Sequence, residues 1–263
     1  MRPGIIAAMV AEARILAKGS ILPSELINLP EGAMMLLSGV GASRARLAAR
    51  TLLEKGATSL VSWGAAGGLA PGLSPGSLIL PETIIAADQS VYYVDAAWHE
   101  RLCGRLQGYV EIHKGPLAES TVVVAGCAEK AILFRRTGAI AVDMESASIA
   151  AVANEAGLPF MAIRAITDPA EMAIPLSALP SIDEFGRVRP LKLIQCLVRN
   201  PIQLLALGRL SRNFRAAQAT LATVALHAGS TLLCPSGPSG MTSAARGGPA
   251  FPAVAKDTWI DSP

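Results

Sequence analysis

Residues 142–150 read "VDMESASIA" and carry Asp143, Met144 and Glu145 between an apolar run, "GAIAV", and an alanine-rich one. The pattern is that of a buried strand turning into a helix. In open α/β sheets, ligands sit beyond the carboxyl ends of the strands, where loops and helix N-termini converge. A carboxylate at a helix start is also favoured by the helix dipole alone, so Glu145 by itself reads equally as a cap and as a ligand. The next apolar run, "PFMAIRAIT", ends at Asp168 and is stopped by Pro169, a setting in which Asp also serves as a plain turn residue. Two acids closing successive elements at the same sheet edge would face one cavity, where carboxylates can bind a ligand and move a proton.

Holding such a pair requires alternating strands and helices. "GIIAAMV", "AMMLLSG", "TSLVSWG", "SLILPETIIA", "YVEIHKGPLA", "STVVVAG", "GAIAVDM" and "PFMAIRAIT" predict strands. "ASRARLAARTLLEKG", closing on Gly56, predicts a helix with a glycine cap, and "DAAWHERLCGRL", "CAEKAILFRR" and "ESASIAAVANEAG" predict three more. The alternation implies an α/β fold, a single domain with a mixed central sheet flanked by helices. Beyond it, "LKLIQCLVRN" and "PIQLLALGRLSRNFRAAQATLATVAL" predict two helices parted at Pro201. The expected division is an α/β domain over 1–186, a basic, apolar helical extension packing on it over 187–228, and a Gly/Ser/Pro-rich disordered tail over 229–263.

Composition narrows the function classes. The 263 residues are 51% hydrophobic and 16% charged, ample for a large core. Cys103, Cys127, Cys196 and Cys234 form no C-x-x-C pair, and His99, His113 and His227 are scattered, so neither a metal nor a disulfide framework is expected. The plain reading is reduced thiols in a cytoplasm. The short apolar run after Arg2 reads as a first strand rather than a signal peptide, because Glu12 and Arg14 follow at once. The net charge of +3 is uneven: residues 185–256 hold nine Lys and Arg and no Asp or Glu.

"GAIAVDMESASIAAVANEAGLPFMAIRAITD" resembles the signature region of the purine nucleoside phosphorylase and nucleosidase superfamily, where a V-[DE]-M-E helix start is followed by a strand ending in R-x-[IV]-[ST]-D. "GIIAAMVAEARIL" looks like that family's first strand with its acid, Glu12. "LLSGVGASRARLAARTLLEKGATSLVSWGAAGGLAPGLSPGSLILPETI" is similar to its G-x-G loop and G-x-A-G-G turn. The blocks span residues 4 to about 170. The C-terminal "LPSIDEFGRVRPLKLIQCLVRNPIQLLALGRL" resembles the bacterial hopanoid-associated phosphorylases, which are understood to release adenine from adenosylhopane.

The resemblance implies a division of labour in cleaving a ribosyl C–N bond. Glu145 would accept hydrogen bonds from the ribose hydroxyls with Met144 packing on the sugar, Gly67 and Gly68 would border the substrate, and Asp168 would deliver a proton to purine N7. "ESTVVV" is the expected base-contacting region. The nucleophile is phosphate or water. Gly39 and Gly41 let the backbone approach an anion at a helix start, and Arg44 in the first turn can pair with phosphate. Gly64 belongs to the same expected cradle, whereas Arg46 and Arg50 share another face and read as solvated. Glu12 matches the acid that orients water in the hydrolytic branch. Ala65 supplies no hydroxyl where relatives carry Ser or Thr.

The expected function is thus phosphorolysis of a purine nucleoside with an apolar 5′ substituent, releasing adenine from adenosylhopane in hopanoid biosynthesis. Inorganic phosphate would be co-substrate and no cofactor is expected. The alternatives are hydrolysis of methylthioadenosine or adenosylhomocysteine, and a non-catalytic nucleoside- or lipid-binding protein. The resemblance implies a homo-oligomer. The expected location is the cytoplasm, with residues 187–228 either solvated helices or a peripheral membrane contact. The stretch carries no nucleic-acid recognition motif.

Overall fold

A computed structural model describes residues 2–23, 25–174, 183–187 and 203–232. Its centre is a run of strands buried on both faces, as the near-continuous Ile, Val, Leu and Ala of the sequence require. β1 (Pro3–Ala7), β3 (Met34–Leu37), β4 (Ser59–Gly68) and β11 (Phe160–Asp168) form it. β1 pairs parallel with β3 and β4, and β11 pairs parallel with β4. On the far side β4 meets β10 (Ala141–Asp143) antiparallel, and β10 runs parallel to β9 (Leu117–Glu119). The sheet continues through β6 (Thr83–Ile85) to β7 (Val91–Tyr93), while β2 (Leu26–Asn28) closes the other edge. β5 (Leu78–Ile79) and β8 (Ile112–His113) branch off β11. The sheet is mixed, as the alternation predicts.

Helices α1 (Val10–Leu16), α2 (Ala42–Glu54), α3 (Ala96–Leu106), α4 (Cys127–Thr137), α5 (Ser146–Glu155) and α6 (Gln203–Ala228) cover it. Asp95 caps α3 by accepting from Trp98 N–H at 2.8 Å, and Gly138 ends α4 in the left-handed region. In α6, Ala217, Leu221, Val224 and Ala228 recur at helical spacing and are buried in the main core. Arg209, Arg212 and Arg215 lie on its exposed side. Gly76 permits close contact: a Cβ there would lie 3.2 Å from Ala216 O, and its carbonyl accepts from Thr220 Oγ1 at 2.6 Å.

Several local expectations differ. "GAAGG" is not a turn: β4 runs straight through it to Gly68. "SLILPETIIA" is two strands parted around Pro81, which has no N–H for a ladder. "STVVVAG" forms no strand; pairing ends at Glu119, and Val122 is exposed. Residues 229–232, assigned to the tail, form a 3₁₀ turn with Leu232 buried. The helix expected at "LKLIQCLVRN" and the tail from 233 lie outside the described residues. Among the described residues no helix is long and apolar enough to cross a membrane, and no group of three His, Cys, Asp or Glu is arranged to hold a metal.

Candidate active site

The glycines of β4 explain why the strand continues. A Cβ on Gly64 would stand 2.5 Å from Glu12 Oε1, and one on Gly67 would stand 3.0 Å from Asp168 Oδ2 and 3.4 Å from Val142 Cγ1. The missing side chains leave room for carboxylates arriving from α1 and β11. Glu12 lies at the third position of α1, where its Oε2 accepts from Met9 N–H at 2.9 Å, and its Oε1 accepts from Ala65 N–H at 2.8 Å. It is 2% exposed. Burial pushes its carboxyl above the usual range, and the Arg164 guanidinium pulls it partly back.

β10 and β11 run in opposite senses along β4, yet their C-terminal ends meet there: Val142 and Asp168 both pair with Gly67. The two acidic ends therefore converge on one glycine rather than lining one edge of a parallel sheet. A bulge between Ile166 and Asp168 adds a residue to β11 at this point, a device that re-aims a side chain.

Beneath the site lies an ion pair on which the first helical turn of α5 is built. Arg164, 3% exposed, donates from Nε to Asp143 Oδ2 at 2.7 Å and from NH2 to Ser62 Oγ at 2.6 Å and Ser146 Oγ at 3.1 Å. Asp143 Oδ1 accepts from the N–H groups of Glu145 (3.4 Å) and Ser146 (3.2 Å). Glu119 Oε2 accepts from Ser148 N–H at 2.7 Å, so the N-terminus of α5 is satisfied by protein carboxylates. Arg164→Met would leave Asp143 buried and unpaired, and is expected to cost about 3–5 kcal/mol, measured by urea unfolding. A stability within 1 kcal/mol of wild type would show that the pair does not hold this junction.

Glu145 sits above this pair. Its Oε1 accepts from Gly41 N–H at 2.8 Å and its Oε2 from Met144 N–H at 3.3 Å. Burial first, and then the negative charge of Asp143, push its carboxyl up to about 8, with Arg164 opposing. Met144 is half-buried at the start of the turn.

Asp168 is 4% exposed, and both of its carboxylate oxygens are partnered. Thr167 Oγ1 donates to Oδ1 at 2.6 Å, and Lys130 Nζ donates to Oδ2 at 2.7 Å. Burial raises its carboxyl and the Lys130 charge lowers it. Lys130, from α4, was not singled out in the sequence. The available signal was its place three and four residues before Leu133 and Phe134, on the side of α4 that packs inward.

The residues expected to cradle phosphate are disposed differently. The Gly41 amide is engaged by Glu145, and Gly64 abuts the Glu12 carboxylate. Arg44 is half-exposed, 3.8 Å from Glu184 and 6.0 Å above the Phe185 ring. Residues 183–187 strap the two loops together: Val10 N–H donates to Phe185 O and Val40 N–H to Glu184 O. Gly68 packs on Pro169, and Arg46 and Arg50 both reach Glu155 on the helix surface. A separate cavity of about 180 Å³, lined by Arg46, Asp88, Tyr92, Glu119 and Ser148, includes neither Glu12 nor Asp168. It falls below the roughly 300 Å³ lower bound of ligand pockets.

The sequence model of the phosphorylase superfamily matches residues 31–189. The chain belongs to this superfamily. The 5′-methylthioadenosine/S-adenosylhomocysteine nucleosidase of Baumannia cicadellinicola subsp. Homalodisca coagulata is 30% identical over 197 residues, 64% of this chain and 86% of that protein. The futalosine hydrolase of Streptomyces coelicolor is 31% identical over 166 residues, 55% of this chain and 70% of that one. Among solved structures, the 5′-methylthioadenosine/S-adenosylhomocysteine nucleosidase of Helicobacter pylori superposes with a TM-score of 0.60 at 17% identity, covering 85% of this chain and 97% of the other. The futalosine hydrolase of the same organism gives 0.60 at 18%, covering 85% and 96%. These likenesses establish the phosphorylase-superfamily fold. Membership puts the chain among enzymes of the glycosidic bond.

Proposed function

We propose that this phosphorylase-superfamily chain cleaves the ribosyl C–N bond of a purine nucleoside bearing a 5′ substituent, and that its nucleophile is water held by Glu12. One observation carries the choice of water: the Gly41 amide, expected to cradle phosphate, donates to the Glu145 carboxylate, and the Glu12 carboxylate fills the space beside Gly64 and accepts from the next amide, Ala65. Among the described residues the buried ionisable groups are five carboxyls (Glu12, Glu119, Asp143, Glu145 and Asp168) and two cationic side chains, Lys130 and Arg164, each already paired with an aspartate. Such a site disfavours a phosphate dianion and favours a base acting on a neutral water. The relatives named as nucleosidases and a hydrolase support the same reading.

In this reading Glu145 keeps the Gly41 amide on Oε1 and accepts from the ribose hydroxyls through the remaining lone pairs of its carboxylate, and hydrogen bonds to a charged acceptor contribute about 1.5–3 kcal/mol each. Glu12 takes the proton of the attacking water. Asp168 gives a proton to purine N7 as the C1′–N9 bond breaks, so the base leaves neutral. The interactions that strengthen as positive charge grows on the sugar are those that raise rate.

A second reading, phosphorolysis of adenosylhopane, is favoured by two features. Arg44 follows Gly41 in the first turn of α2 with its guanidinium half-exposed, and Arg209, Arg212 and Arg215 form a basic exposed side on α6 suited to an anionic lipid surface. Adenine release from methylthioadenosine and adenosylhopane, with and without phosphate, separates the two. The expected result is release from methylthioadenosine at the same rate in phosphate-free buffer, with a free sugar as product. A rate proportional to phosphate, with a sugar 1-phosphate formed, would overturn hydrolysis in favour of the second reading.

A further inference from the structure

Lys130 is fully buried, and its ammonium, with three protons, lies within hydrogen-bond reach of four oxygens. These are Asp168 Oδ2 (2.7 Å), Pro169 O (2.8 Å), Met172 O (2.9 Å) and Asp168 O (3.1 Å). All four belong to residues 168–172, the turn that leaves β11. A buried lysine is rare unless paired, and this one is tied wholly to Asp168 and the backbone after it. Around the Asp168 carboxyl, β4 presents Gly67, β10 presents Val142 and its own strand presents Thr167. Of the groups facing it, Lys130 on α4 carries the charge.

We propose that Lys130 is the positioning residue for proton transfer: it fixes Oδ2 of Asp168, leaves Oδ1 to serve the leaving purine, and makes the carboxyl a stronger acid. The inference rests on the function proposed above. When Oδ1 carries the proton, the Thr167 hydroxyl can turn to its other acceptor, Ala66 O at 3.3 Å. As the C1′–N9 bond breaks, its electron pair passes to the purine and the Oδ1 proton passes to N7. Asp168 is left as a carboxylate beside an ammonium that stays charged throughout, and solvent supplies the next proton. Positive charge at 2.7 Å from an oxygen that becomes negative stabilises the transition state more than the ground state.

The test is kcat against pH for adenine release from methylthioadenosine by K130M and K130Q, each also made in the D168N background. Asp168 acts as an acid, so activity is lost as pH rises through its pKa. Removing the neighbouring cation should move that alkaline limb upward by roughly 1–3 pH units and lower kcat by roughly 10²-fold, with KM little changed. In D168N neither substitution should lower kcat further. K130Q retains hydrogen-bonding donors for the carbonyls and carries the test should K130M not fold. An alkaline limb that stays in place in an active K130Q, or an equal loss of kcat in the D168N background, overturns the inference alone. A wild-type protein that releases no base from any purine nucleoside overturns the functional reading instead, and this inference with it.

Discussion

Asp168→Asn is expected to yield a folded protein whose turnover of purine nucleoside falls by on the order of 10²–10⁴-fold, with substrate affinity changed only a few-fold. The amide is isosteric and its oxygen can still accept from Lys130 Nζ, which keeps the carbonyls of Pro169 and Met172 as partners. What is lost is the proton. An Asn offers no acidic group to N7, so the purine must depart as an anion, and that charge develops only in the transition state. The loss should therefore appear in kcat rather than KM. Because substitution of one member of a buried ion pair can destabilise by about 3–5 kcal/mol, thermal melting must accompany the kinetics. A folded D168N with near wild-type turnover would remove Asp168 from the chemistry.

The same pair of residues marks what the sequence could and could not disclose. Asp168 was legible because it closes an apolar run and is followed by proline, two signals that act locally. Lys130 lies 38 positions away on helix α4, and its burial exists only because four oxygens of the 168–172 turn converge on it. Long-range pairing of that kind leaves no periodicity to read. β4 gives a related lesson. "GAAGG" carries the composition of a turn, and local propensity favours that reading. The tertiary reason for its glycines, close approach by Glu12, Asp168 and Val142, keeps the segment extended. The converse holds at "STVVVAG", where three consecutive valines suggest a strand. Pairing between β9 and β10 stops at Glu119 and Asp143, and Ser120 Oγ instead donates to Val122 O at 2.7 Å, a local hydrogen bond that competes with the ladder. Helices α2 to α5 and strands β1, β3 and β11 are legible in the sequence because helical apolar spacing or a continuous apolar run fixes their burial locally.

Glu12→Gln discriminates best between water and phosphate as nucleophile. In the hydrolytic reading the carboxylate must remove a proton from water, and an amide cannot; the expected loss in kcat/KM is on the order of 10²–10⁴-fold. Part of any effect is structural. Two N–H groups, Met9 and Ala65, donate to separate oxygens of Glu12, and Gln offers one oxygen and one NH₂, so one donor loses its acceptor at a cost of about 1–3 kcal/mol. The pH profile separates this from the chemistry. A base works only when ionised, so wild-type activity should fall as pH drops through the Glu12 pKa, and burial sets that acid limb above the usual carboxylate range. Glu145, pushed up to about 8, ionises in the same sense and adds a second step to the limb. E12Q should abolish the Glu12 step and retain the one belonging to Glu145. Phosphate supplies its own nucleophilic oxygen and needs no base at this position, so a phosphorylase would retain most of its rate in phosphate buffer after the substitution. Full activity of E12Q at saturating phosphate would therefore reverse the assignment of the nucleophile while leaving the roles proposed for Asp168 and Glu145 intact, because protonating the base and gripping the ribose serve either attack.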